Sequence, residues 1–104
     1  MLELRPGCEL CDKDLPPQSE EARICSYECT YCAHCVDTVL KNVCPTCGGG
    51  LVPRPIRPKV SWRPEERLGL SNHPASSVRV HSKFTMDDIL AHVERIKDIP
   101  PGDR

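Results

Sequence analysis

The chain has 104 residues, a formal charge of −1 and only four aromatic residues, Tyr27, Tyr31, Trp62 and Phe84, so a single small domain is the expectation. Seventeen residues are proline or glycine, and the first half is too small and too poor in core formers to fold on apolar burial alone. Residues 1–50 carry four basic and eight acidic side chains, residues 51–104 ten basic and seven acidic. An acidic first half and a tail without a dense Lys/Arg run argue against binding phosphates, so no nucleic-acid partner is expected.

Met1–Arg5 alternates apolar and polar residues and predicts a short strand, turned at Pro6-Gly7. It has no basic region followed by an apolar run, so it is not read as a secretory signal. No stretch approaches membrane-spanning length, and no membrane partner is expected. A cytoplasmic, reducing location follows as the expectation, one in which thiols stay free for metal.

Every cysteine falls between Cys8 and Cys47, in the pattern C-x2-C-x13-C-x3-C-x2-C-x2-C-x8-C-x2-C. Cys8/Cys11, Cys32/Cys35 and Cys44/Cys47 have the two-residue gap of metal-binding knuckles, and Cys25/Cys29 has a three-residue gap still within the zinc range. Eight thiols in so short a segment point to two four-sulfur sites, each holding a structural Zn2+. Such a site contributes about 10–16 kcal/mol in small zinc peptides, enough to replace a missing core. With both sites filled, eight thiolates and two divalent ions would add four further negative charges to the first half.

Between the knuckles, Asp12–Glu21 reads as a loop with Pro16-Pro17. Ala22–Tyr27 reads as a strand, with Cys25 facing away from Ile24 and Ser26. Thr30 is the expected cap of a helix from about Ala33 to Lys41, which places Val36, Val39 and Leu40 on one face and Asp37 and Lys41 on the other. Pro45 presets the last knuckle, and Gly48-Gly49-Gly50 lets backbone N–H groups approach its sulfurs. Leu51-Val52 is an edge-strand candidate.

The organisation expected is a double-zinc module over 1–52, a Pro/Arg-rich extended linker over 53–64, and a tail over 65–104. In the linker, Pro53–Pro58 reads P-R-P-I-R-P, a stiff polyproline-like segment. Trp62 is expected to seal a small apolar surface. Val78–His81 predicts a short strand. Thr85 caps the clearest helix, with Asp87 and Asp88 in its first turn, Ile89, Val93 and Ile96 on one face, and an end near Asp98 before Pro100-Pro101. That face must bury against the module or against a second copy of the chain, as a homodimer.

Two pairings fit two four-thiolate sites. In one, the first four cysteines hold one ion and the last four the other. In the other, alternate pairs share an ion, so that longer loops are closed. Spacing does not choose between them.

The order of eight ligands, the helix after the third pair and the final Cys44-Pro45-Thr46-Cys47 resemble the RING finger in its all-cysteine form, over about residues 8–47. More closely, Met1–Val52 resembles a family of short bacterial zinc-binding proteins of unknown function. The resemblance lies in Leu2-Glu3-Leu4-Arg5-Pro6, Asp14-Leu15-Pro16-Pro17, Glu21-Ala22-Arg23-Ile24-Cys25 and Val43-Cys44-Pro45. The RING resemblance implies the interleaved cross-brace: Cys8, Cys11, Cys32 and Cys35 for site 1, Cys25, Cys29, Cys44 and Cys47 for site 2. His34 is not expected to be a ligand, because Cys29 fills the position where the RING histidine would fall. The implied fold class is a small metal-stabilised α+β cross-brace with a short β-hairpin and a helix, followed by the Pro-rich linker and a C-terminal helix.

Four sulfurs close a tetrahedral site and leave no position for water, so no enzyme activity is expected. The expected role is a non-enzymatic module that binds an unidentified protein partner. Two alternatives stand beside it. A RING-type ubiquitin-ligase-like role is implied by Leu10 and Pro45, which match positions that hold a conjugating enzyme, but Gly48 stands where active members often carry a basic residue. A thiol redox or zinc-release sensor would use low-pKa CxxC thiols near a helix start.

Overall fold

The computed structural model describes residues 1–104. Three short strands form its sheet: β1 (Ala22–Ile24), β2 (Thr30–Cys32) and β3 (Val52–Pro53). Their order is β2-β1-β3 and both pairings are antiparallel. Ala22 stands opposite Cys32 and Ile24 opposite Thr30, while Ile24 also faces Val52 on the other side. The cysteine knuckles keep the strands this short. Cys25 follows β1 directly, Cys29 immediately precedes β2 and Cys32 ends it. Pro53 cannot donate to a ladder, which suits the edge position of β3.

A short helix, α1 (Ala33–Cys35), leaves the end of β2 and runs without a break into a π-helical segment, Val36–Leu40. Its cap is not the expected Thr30, which is buried within β2 with its hydroxyl on the Glu28 carbonyl at 3.1 Å. The Cys32 sulfur takes that place, accepting the Cys35 N–H at 3.4 Å. Lys41 and Asn42, both left-handed at φ 48° and 62°, stop the helix. Asparagine tolerates that region because its side chain finds local partners, and here Asn42 Oδ1 accepts the Leu51 N–H at 2.8 Å. Val36 and Leu40 are buried while Asp37 and Lys41 face water, as the periodicity requires.

The C-terminal helix, α2 (Met86–Ile96), begins as expected at Thr85, whose Oγ1 accepts the Asp88 N–H at 3.2 Å. Ile89 and Val93 are buried and Ile96 half-buried, and the helix packs on the Val36–Leu40 segment of its own chain. Met86 and Leu90 remain exposed. The apolar stripe is therefore used within one chain to close the cysteine module.

The core is built around sulfur. Six of the fifteen residues in the buried apolar cluster are cysteines, joined by Leu15, Ala22, Tyr31, Val36, Leu40, Val43, Leu51, Ile89 and Val93. The tail wraps this core and is tied down by guanidinium groups. Arg54, only 4% exposed, donates to the carbonyls of Arg5, Leu15 and Pro16. Arg57 donates to the carbonyls of His73 and Leu2 at 2.7 and 2.6 Å. Arg79 bonds Asp12 through Nε at 2.8 Å and Asp14 through Nη1 at 2.9 Å. It lies close over Gly7, where an added Cβ would meet Nη2 at 2.6 Å and push the guanidinium aside. Arg104 reaches the carbonyls of Asn42 and Gly48. The Pro-rich segment thus lies along the module, with its arginines clamped to backbone carbonyls there.

Three further expectations are corrected. Met1–Arg5 forms no strand, and neither does Val78–His81. The segment after Pro74 does run beside the N-terminal residues, but the contact is made at single points, Ser76 N–H to Leu4 O at 3.0 Å and Ser82 N–H to Glu9 O at 2.8 Å. A ladder needs alternate bonds along both chains, and here Arg79 turns outward to Asp12 and Asp14 instead. Trp62 seals nothing: it is 82% exposed, on a loop whose neck closes where Leu70 and Ser71 donate to the carbonyls of Pro58 and Lys59. Gly69, at φ 86°, lies against the Val60 backbone at that neck, where a Cβ would meet carbonyl atoms at 2.6 Å.

Candidate metal centre

Each knuckle turns its backbone N–H groups toward a sulfur. The N–H groups of Cys11 and Leu10 point at Cys8, those of Tyr27 and Cys29 at Cys25, and those of Cys47 and Thr46 at Cys44. Gly49 N–H reaches Cys47 Sγ at 3.3 Å and Tyr27 N–H reaches Cys25 Sγ at 3.3 Å. Gly48, at φ 77°, makes the turn that brings Gly49 round. Donors aimed at sulfur suit a thiolate far better than a neutral thiol.

These turns gather the thiols into two clusters. The ligand atoms of Cys8, Cys11, Cys32 and Cys35 all lie within 4.8 Å of one another. So do those of Cys25, Cys44 and Cys47. Cys29 stands outside that mutual distance, yet its thiol interacts with those of Cys25 and Cys44. Cys11 and Cys47 are the exposed members of their clusters, and the other six cysteines are buried. β2 connects the clusters, with Cys29 at one end and Cys32 at the other.

All eight cysteines are free thiols. Cys11 Sγ and Cys32 Sγ stand 3.7 Å apart. A tetrahedron with metal–sulfur bonds of about 2.3 Å has sulfur–sulfur edges of about 3.8 Å, so the spacing suits a shared ion. A disulfide would require about 2.05 Å. Burial pushes the thiols of Cys8, Cys29, Cys35 and Cys44 above their ordinary range, and neighbouring sulfurs push Cys29 and Cys35 further. At Cys11 and Cys25 burial acts in the same direction, but hydrogen bonds from backbone and neighbouring thiols outweigh it and hold these two below that range. A divalent cation at the centre would favour the thiolate at every one of them, because it coordinates the thiolates directly. The donor set therefore fits a thiophilic ion.

None of the four histidines belongs to either cluster. His34 is exposed. His92, on α2, has its Nε2 3.1 Å from the Cys44 carbonyl oxygen and ties the helix to the last knuckle. Sequence reasoning offers no signal for this contact, since nothing in the spacing of His92 relates it to Cys44. It also left Glu9 unremarked. This buried carboxylate takes Arg5 Nη1 at 2.8 Å and the Thr30 N–H, fixing the first knuckle to β2.

Residues 1–57 match the model of a family described as "Protein of unknown function (DUF1272)". The chain belongs to the DUF1272 family. It is also 52% identical over 80 residues to the uncharacterized protein R02474 of Rhizobium meliloti (strain 1021), covering 77% of this chain and 86% of that protein. That alignment is longer than the segment the DUF1272 model matches, so it takes in part of the tail. No solved structure matches. No helix of this DUF1272 chain is long and apolar enough to cross a membrane.

Proposed function

We propose that the chain is a non-enzymatic protein-interaction module held together by two structural zinc ions in an interleaved, RING-like cross-brace. Cys8, Cys11, Cys32 and Cys35 would hold one ion, and Cys25, Cys29, Cys44 and Cys47 the other. The observation that carries this reading is the gathering of Cys8 and Cys11 with Cys32 and Cys35, thiols more than twenty residues apart, at the spacing of a tetrahedral sulfur site. Cys29 completes the second set through its approach to Cys25 and Cys44. Zinc is favoured over other metals because all-thiolate tetrahedral sites suit it and it needs no redox partner. Four sulfurs leave no coordination position for water, which supports a structural role rather than hydrolysis.

The ligase-like alternative meets a specific obstacle. Pro45, one of its two contact positions, is buried and lines a groove with Phe84, Ile89 and His92 of the tail. α2 thus occupies ground that a conjugating enzyme would need.

Elemental analysis of the purified chain, with native mass spectrometry, tests the reading. Two zinc ions per chain are expected, with cooperative unfolding on chelation. Cys11→Ser and Cys44→Ser should each lose one ion and unfold the first half. A metal-free chain that melts cooperatively at the same temperature would overturn the proposal.

A further inference from the structure

A groove of about 530 Å3 opens between the sheet and the two ends of the chain. Leu2 and Pro101 come from the ends, Ile24 and Val52 from β1 and β3, and Cys25 and Glu28 from the knuckle between β1 and β2. Its lining is mostly apolar. Val52 is exposed, and so are Met1 and Tyr27, chain neighbours of lining residues. Apolar surface left open in this way marks a contact site. The volume falls in the range of about 300–1,000 Å3 of ligand pockets. The groove is open rather than enclosed, however, which suits side chains of a macromolecule better than a small molecule that must be surrounded. Pro53 has no N–H to offer a further strand, so recognition there rests on side chains.

The charge of the groove is one-sided. Of its ten lining residues none is a lysine, arginine or histidine, and Glu28 is acidic. Glu28 is half-buried and takes part in no ion pair of the molecule. Its carboxylate has one hydrogen bond, a long one from Glu3 N–H at 3.5 Å. Its backbone stands at φ 69°, a left-handed conformation that glycine adopts freely and a residue with a Cβ only at a cost. A carboxylate is therefore kept at a strained turn, beside apolar surface, with no cation of its own. The surrounding half of the chain is acidic as well, with eight acidic and four basic side chains in residues 1–50.

We infer that the groove docks a segment of a partner protein in which an apolar side chain adjoins a lysine or arginine. The apolar group enters between Ile24, Val52 and Pro101, and the cation meets Glu28. This rests on the interaction-module reading above and names its surface. A second copy of the chain fits less well. Arg54, Arg57, Arg79 and Arg104 are spent on their own chain. The exposed loop around Trp62 brings Glu65 and Glu66 along with its cations, and an acidic groove repels them.

The test pans a phage-displayed library of random short peptides on the full chain loaded with zinc. Enriched peptides should share a lysine or arginine next to an apolar residue. The strongest is then labelled and titrated by fluorescence anisotropy. Glu28→Gly relieves the left-handed turn, so it keeps the fold, and should weaken binding about tenfold. Val52→Ser, at an exposed site, should weaken it too. Asp37→Asn removes the same charge on an exposed helix face outside the groove and should leave binding unchanged. Equal losses from Glu28→Gly and Asp37→Asn would reduce the effect to bulk charge and overturn the inference. Peptides that bind yet ignore Glu28→Gly and Val52→Ser overturn it as well, while the interaction-module reading stands on another surface. A dimer in sedimentation that Val52→Ser dissociates would give the groove to a second copy and overturn the partner assigned here. If no peptide is enriched, the groove and the interaction role fall together.

Discussion

Arg54 is a cation buried without an anion. Burial lowers its pKa, and no carboxylate stands near enough to raise it. Three carbonyls replace water around it, those of Arg5, Leu15 and Pro16, at 2.8 to 3.2 Å. Hydrogen bonds from a charged donor are stronger than neutral ones, and removing the donor would leave those oxygens without this partner. Arg54→Met should therefore cost about 2–4 kcal/mol in denaturant titrations of the metal-loaded chain. A loss below half a kcal/mol would show that water replaces the guanidinium freely. At this scale the cysteines were legible in advance, because gaps of two and three residues carry a geometric meaning. Arg54 was not. In P-R-P-I-R-P an arginine looks solvated, and only the fold brings the carbonyls of residues 5, 15 and 16 around it.

Among the elements, α2 could be read from the sequence because three local signals agree on it: the Thr85 cap, acids in the first turn and a stripe at helical spacing. Its docking partner could not, since the stripe says only that something apolar is opposite. The structure supplies Val36–Leu40 and the last knuckle, with His92 reaching the Cys44 carbonyl. Ile89, 1% exposed, is the deepest point of that contact. Ile89→Ala should destabilise by about 2–4 kcal/mol, and Thr85→Ala by about 1 kcal/mol, in thermal melts of the metal-loaded chain. An equal effect from both would mean that the helix is held by its own end rather than by packing. The strands show the opposite case. β1 was foreseen, yet it stops at Ile24 because Cys25 turns into its knuckle. Met1–Arg5 alternates well enough but finds isolated N–H donors where a strand needs a neighbour.

For the molecule as a whole, the tail depends on the module it wraps. Its contacts span long separations: Arg57 to Leu2, Arg79 to Asp12, Arg104 to Asn42. Such closures become favourable only once the ends are already held near each other. The first half supplies that frame if its ions are bound. Chelation should then abolish hydrogen-exchange protection at the Ser76 and Ser82 amides in step with that at Cys44 and Gly48, although no tail residue is a proposed ligand. Retained protection at Ser76 and Ser82 in the chelated chain would show a tail that folds by itself. The unequal charge of the two halves fits the same picture: the arginines that strap the tail come from the basic half, and their acceptors lie mainly on the acidic one.

Trp62 is the one tryptophan, and it stands in water while the chain is folded. Unfolding moves no indole from an apolar to an aqueous setting, so emission colour should scarcely change when the structure is lost. Intrinsic tryptophan fluorescence would report this protein as unaltered through the very transition that empties its centres. Sulfur-to-metal charge-transfer absorption, after cobalt replaces zinc, is the optical signal tied to the part that melts.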